Sequence, residues 1–194
     1  LTANFSGDLI TLQERLKGIN IYLIGMMGSG KSTIGGLLAK QLGYRFMDTD
    51  DIISQTTHRS ITDIFATEGE DVFRDLESKV LSEICAYKKF VVATGGGIIL
   101  KQMNWSYLRH GMIIWLNVPV EELYHRLKED QTRPLLQHPD PLQQLQILLE
   151  KRQSLYAQAD LEIKINPGGV PQQVVTQILE KIPTILKPQS YGLN

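Results

Sequence analysis

The sequence predicts an α/β fold: a parallel sheet covered on both faces by helices. Three observations point there. Five short apolar runs, residues 19–24, 44–47, 90–94, 112–118 and 161–165, have the length and the β-branched or aromatic content of buried strands. Helical stretches separate them, and strands that alternate with helices build parallel sheets. The first run leads through GMMGSGKST, Gly25 to Thr33, into the helix-like IGGLLAKQLG, which is the strand–loop–helix order of a phosphate-binding P-loop.

Taken in chain order, residues 6–17 read as a leading amphipathic helix, and residues 31–42 as a helix that stops at Gly43. The second strand ends in FMDTDD and passes into a helix DIISQTT. Residues 60–68 open with Ser60-Ile61-Thr62-Asp63, a capping-box pattern, and residues 70–86 are long and amphipathic. Residues 49–86 therefore place only helices between the second and third strands, too much chain for a simple crossover. Pro119 marks the first turn of another helix, and residues 141–158 and 170–181 supply two more. The polar segment EDQTRPLLQHPDP, residues 129–141, reads as a surface loop or lid, and IPTILKPQSYGLN as a loosely held tail.

A chain of 194 residues suits one domain with a substantial core. Its 20 Lys+Arg against 21 Asp+Glu leave no broad charge to attract nucleic acid or an anionic membrane, so neither is expected as a partner. No apolar run approaches the roughly 18 residues of a membrane span, and LTANFSGDLI lacks the pattern of a secretory signal, so a soluble, cytoplasmic chain is expected. The single cysteine, Cys85, cannot close an intrachain disulfide and is expected to pack inside on a helix face. His58, His110, His125 and His138 show no metal-ligand spacing.

The glycine-rich loop carries the clearest chemistry. Gly25, Gly28 and Gly30 let successive backbone N–H groups close on an anion, and the helix that starts near Lys31 adds its positive end. Within Gly28-Ser29-Gly30-Lys31-Ser32-Thr33, Lys31 can reach the β- and γ-phosphates of a nucleotide, and the Ser32 hydroxyl can ligate Mg²⁺. Met26 and Met27 are expected to pack. The third strand, FVVAT, ends without the acid that many P-loop proteins place on a later strand. The acids stand instead at the end of the second strand. If the chain is still extended there, Asp48 and Asp50 project to one side and Asp51 to the other, so that one acid serves a metal and its neighbour a substrate hydroxyl. An acidic N-cap for the following helix is the simpler reading, and the two are compatible.

Arg74 and Glu77 stand three residues apart and can meet on one helix face, either as a solvated pair or as a guanidinium held for a ligand. Arg133, in the lid segment, is either a loop residue or a charge that closes over a transferring phosphoryl group. Arg152 and Arg126 read as helix-surface residues, Arg126 alternatively as a group that stacks on a flat base. The run Thr94-Gly95-Gly96-Gly97 is either a tight turn or a second place where backbone approaches a ligand.

Taken together, GMMGSGKST, FMDTDD, FR with Glu three residues on, ATGGGI, TRPLL and RxxLY follow one another in an order that closely resembles the shikimate kinase family, over about residues 19–165. The resemblance implies a nucleoside-monophosphate-kinase type of fold: a P-loop three-layer sandwich with a five-stranded parallel sheet, a helical acceptor-binding insertion at about 49–80 and a lid at about 129–141. It implies ATP and Mg²⁺, attack of the shikimate 3-hydroxyl on the γ-phosphate, and products shikimate 3-phosphate and ADP. By the same resemblance, Asp50 contacts the acceptor hydroxyls and takes the proton, Arg74 and Arg152 grip the carboxylate, Gly95, Gly96 and Gly97 line the pocket, and Phe65 and Phe73 wall it. Glu77 then holds Arg74, Asp48 joins Ser32 around the metal, Lys31 and Arg133 stabilise the transferring phosphoryl group, and Arg126 contacts adenine. A monomer is implied as well. The rivals are a kinase for another small polyol acid such as gluconate, and an inactive nucleotide-binding relative.

Overall fold

The computed structural model describes residues 5–128 and 139–186, without the side chains of 5–8. Five parallel strands make one sheet: β1 (Ile21–Ile24), β2 (Arg45–Asp48), β3 (Phe90–Ala93), β4 (Met112–Asn117) and β5 (Leu161–Lys164), in the order β2-β3-β1-β4-β5. The pairing Met47↔Val92, Tyr22↔Val92 and Tyr22↔Ile113 keeps the three inner strands level. Inner strands of a sheet with helices on both faces have no solvent side, which is why IYLI and FVVA are buried at every position. The second strand differs from expectation. It is an edge strand with Arg45 and Phe46 exposed, and the Arg45 guanidinium lies 4.2 Å from the Phe90 ring centroid.

The helices end where their backbone groups find substitutes. Helix α2 (Lys31–Leu42) stops at Gly43, whose φ of 63° lets Tyr44 N–H reach back to Ala39 O at 2.9 Å. Helix α3 (Thr49–Thr57) is capped by Asp48, which accepts from Asp50 N–H at 3.0 Å. Helix α4 (Ile61–Ile84) is capped by Ser60, and its two predicted halves meet at Gly69, a break with φ 87° and ψ 173° that only glycine adopts readily. Helix α7 (Pro141–Tyr156) starts on the Asp140 cap with Pro141 in its first turn.

Helix α6 (Val120–Leu127) follows β4. The 3-10 turn Ile98–Leu100 and helix α5 (Gln102–Leu108) have no counterpart in the periodicity reading. They are held by Asn104 and Trp105 side chains that donate to the carbonyls of Ile98 and Ile99, at 2.8 and 3.0 Å. Cys85, expected inside, is only half-buried, because it caps the exposed end of α4. No described helix is long and apolar enough to cross a membrane.

Helices α1 (Phe5–Leu16) and α8 (Pro171–Ile185) require a correction to the tail expected from residue 182. Helix α8 runs through Pro183, Ile182 is fully buried, and Arg15 of α1 donates to the carbonyls of Pro183 and Leu186 at 3.2 and 3.3 Å. The predicted end at 181 falls short because the contacts that hold the last turn are distant in the chain: the packing of Ile182 and the Arg15 hydrogen bonds carry the helix past Pro183. Replacing Ile182 by Ala is therefore expected to destabilise the protein by about 2–5 kcal/mol, as for a core aliphatic; a denaturant melt within about 0.5 kcal/mol of the parent would return these residues to a loose tail.

Candidate active site

In a parallel sheet all strands end on one edge, so the loops that leave β1, β2 and β3 collect there. β1 lies between β3 and β4: from β1 the chain runs out to β2 at one edge and back to β3, then crosses to β4 and β5 on the other side. A crevice opens at that point, and the P-loop stands in it.

Gly28 and Gly30 of the loop have φ of 74° and 89°. A side chain on Gly25 would run into Leu116 O of the neighbouring strand. Ser29 is fully buried and Lys31 nearly so. Lys31 Nζ donates to Gly25 O at 3.0 Å and Met26 O at 2.8 Å, which folds the ammonium over the loop that it serves. Ser32 donates to Asp48 Oδ2 at 2.5 Å, so the first residues of α2 and the last of β2 are joined across the sheet edge. Thr33 lines a neighbouring hollow of about 380 Å³ with Gly28, Gly30, Arg126, Gly168 and Gly169. Arg126 is steadied there by Glu122 at 2.8 Å and by Gly28 O at 3.2 Å.

The acid pair needs a correction. The strand ends at Asp48, and Asp50 and Asp51 stand in the first turn of α3 rather than on extended chain. The Asp48 carboxylate is the cause, since it accepts the Asp50 N–H and so turns the backbone into the helix. Helical rise then brings Asp51, expected to face away, to the same cavity as Asp50. Burial first, and the Asp48 charge second, push the Asp51 carboxyl above its usual range.

That cavity, of about 280 Å³, is lined by Asp50, Phe65, Phe73, Arg74, Arg152 and the turn Gly95–Gly97. Met27 of the P-loop also faces it, and Met26 packs as expected. Phe65 and Phe73 lie with ring centroids 4.8 Å apart, and the Arg74 guanidinium rests 5.1 Å from the Phe73 centroid. Arg74 donates to Glu77 Oε2 at 2.5 Å and, through Nε and Nη2, to Glu70 Oε1 at 3.1 and 2.7 Å. Glu77 has no exposed surface. Burial pushes its carboxyl up to about 7, and the Arg74 charge limits the rise. Burial opposes the Arg74 charge, but Glu77 and Glu70 outweigh it and hold that guanidinium above its ordinary value.

The triple glycine has a reason that the sequence reading did not reach. A Cβ on Gly95 would overlap Glu77 Oε1 and lie 3.1 Å from Asp50 Oδ1, and a Cβ on Gly97 would overlap the Arg74 guanidinium. The missing side chains make room for charged groups of the protein itself, rather than only for a ligand's approach. Arg152, which reads as a surface residue, is buried, with Nη1 3.5 Å from Gly96 O. Two partners were not singled out from the sequence. Tyr156 donates to Gly96 O at 2.6 Å and stacks on Trp115 at 5.8 Å, and burial raises its phenol to about 12. Thr49 accepts the Gly95 N–H at 3.0 Å. Tyr156 was legible as the end of RxxLY, but nothing in one sequence says which carbonyl it meets. Arg133 and the rest of 129–138 lie outside the described residues.

Ser32 and Asp48 offer a hydroxyl and a carboxylate as hard oxygen donors beside the P-loop, which suits Mg²⁺ because that ion keeps several waters and takes few protein ligands. Among the described residues no cluster of three or more acids, histidines or cysteines could hold a metal alone. The edge of the sheet thus sets the P-loop beside a cavity lined by carboxylates and guanidinium groups.

Comparison with known proteins agrees with this arrangement. Residues 27–183 match the family model described as shikimate kinase. The chain is 56% identical to a shikimate kinase from Nostoc sp. over 91% of its own length and 97% of that protein, and 57% identical to one from Rippkaea orientalis over 91% and 95%. A solved structure, "Shikimate kinase from Acinetobacter baumannii in complex with shikimate", superposes with a TM-score of 0.84 at 39% identity, over 89% of this chain and 97% of that one. With the model spanning most of the sequence and relatives above half identity along nearly its whole length, the chain belongs to the shikimate kinase family.

Proposed function

We propose that this chain transfers the γ-phosphoryl group of ATP to the 3-hydroxyl of shikimate, with Asp50, Arg74 and Arg152 as the acceptor-binding groups. The observation that supports those roles most directly is that these three side chains, far apart in sequence, line one cavity next to the P-loop. Two guanidinium groups in the lining suit a carboxylate, and an acid in the same lining suits vicinal hydroxyls. The oxygen of the 3-hydroxyl bonds to the γ-phosphorus as the β,γ-bridging bond breaks, ADP leaves, and Asp50 takes the hydroxyl proton. Lys31 exchanges the carbonyls of Gly25 and Met26 for phosphate oxygens, and the loop N–H groups of Gly28 to Thr33 orient the chain of phosphates. Ser32 and Asp48 would hold Mg²⁺, which when bound neutralises charge on the β- and γ-oxygens. Arg126 faces the hollow where a base can lie, and Arg133 is assigned to the phosphoryl group by family pattern alone.

A coupled ADP-release assay with ATP, Mg²⁺ and a panel of acceptors tests the substrate. Release with shikimate is expected; release with gluconate and none with shikimate would overturn the assignment. Arg74→Ala and Arg152→Ala are each expected to weaken shikimate binding about tenfold or more, the scale of a lost charge-assisted hydrogen bond, with ATP affinity nearly unchanged. In the Asp50→Asn protein, turnover should fall by about 10²–10⁴ with the fold preserved, whereas near-normal turnover would remove it as base.

With burial pushing the Glu77 carboxyl up to about 7, the group is expected to keep its proton below that pH and to add a negative charge beside Arg74 above it. Shikimate, an anion throughout, should therefore bind more weakly as pH rises through about 7. The Glu77→Gln protein, which keeps the acceptor but not the titration, should show a flat profile; an unchanged inflection in that variant would assign the effect elsewhere.

A further inference from the structure

Arg74 has two acidic partners of different kinds. Glu77 is sealed in the core and holds Nη1 from behind. Glu70 stands at the surface with 44% of its side chain exposed, and one of its oxygens takes both Nε and Nη2. Those two donors form one of the parallel forks that a guanidinium presents to a carboxylate, and the other fork has Nη1 already engaged by Glu77. Glu70 follows Gly69, where the helix breaks and restarts, so it lies one turn before Arg74 on the same face. No Cβ contact would arise within 4 Å at Gly69, so the glycine serves the backbone turn and not close packing.

From this geometry we infer that Glu70 is a placeholder for the substrate carboxylate: it occupies the side fork of Arg74 and is displaced when an acceptor with its own carboxylate enters. With one partner at the surface and the other buried, the Glu70 pair exchanges more readily than the fully buried pair with Glu77. Glu70 then acts as a specificity-determining residue. A carboxylate-bearing acceptor recovers, on Arg74, the contact that Glu70 gives up. A neutral acceptor leaves the Glu70–Arg74 pair in place and gains nothing from that edge. The inference rests on the reading of Arg74 as the carboxylate-binding group.

The test is calorimetric titration of shikimate, and of its analogue with the carboxylate reduced to a hydroxymethyl group, into the parent protein, Glu70→Gln, Glu70→Ala and Arg74→Ala. Both Glu70 variants are expected to bind shikimate about two- to fivefold more tightly, the scale of a weak ion pair with one partner at the surface. They should bind the hydroxymethyl analogue as the parent does. ATP KM should not move, and melting curves confirm that the surface substitutions leave the fold intact. Unchanged or weaker shikimate binding in both Glu70 variants overturns the placeholder and makes Glu70 an orienting partner or a bystander. If Arg74→Ala also binds shikimate like the parent, the reading of Arg74 itself falls; if Arg74→Ala is weakened, only the placeholder does.

Discussion

The buried contact between Arg74 and Glu77 is the constraint on which the cavity beside the P-loop depends. A carboxyl group with no exposed surface is costly to ionise, and a guanidinium beside it must keep its charge to be of use to an anionic ligand. Each makes the other tolerable inside the protein, at 2.5 Å, and neither would fit if the turn after β3 carried side chains. Gly95 leaves room for Glu77 and Gly97 for Arg74, so the position of a charged pair on α4 is written into the backbone of a different element. Thr49 at the start of α3 and Tyr156 at the end of α7 then fix that turn through the Gly95 N–H and the Gly96 carbonyl.

The parallel sheet explains why these groups stand beside the P-loop. Its strands end together, so the P-loop after β1, the Asp48 cap after β2 and the glycine turn after β3 become neighbours without any long-range search. Asp48 joins three functions in one carboxylate. It ends the strand, caps α3 so that Asp50 faces the cavity, and receives the Ser32 hydroxyl beside the loop. The cap therefore does not compete with the cavity for this segment: it is what brings Asp50 to the lining.

The fold was largely legible because its signals are local. Apolar runs, a P-loop between strand and helix, Ser60 as a cap and Gly43 as a stop each depend on a few adjacent residues. What escaped depended on partners distant in the chain. The edge position of β2 follows from strand order, which periodicity does not encode. Helix α5 is held by Asn104 and Trp105 on the carbonyls of Ile98 and Ile99, and Ile182 is kept helical past Pro183 by the Arg15 side chain. The same division holds at the site. Arg74 with Glu77 was readable from spacing, but the burial of Arg152 was not, because a polar residue on a helix gives no sign that the helix leans over a glycine turn. The extended reading of Asp48 to Asp50 failed by one residue, at the cap.

The claim that the glycine turn exists to admit the charged pair can be tested by adding one methyl group. Shikimate and ATP affinities of the Gly97→Ala protein are the measurement, with ATP binding as the internal check that the P-loop and the sheet remain in place. The account expects shikimate affinity to fall by about ten- to a hundredfold, the scale of a displaced binding group, while ATP affinity stays within twofold or so of the parent. Unchanged shikimate affinity in a folded, ATP-binding protein would contradict it.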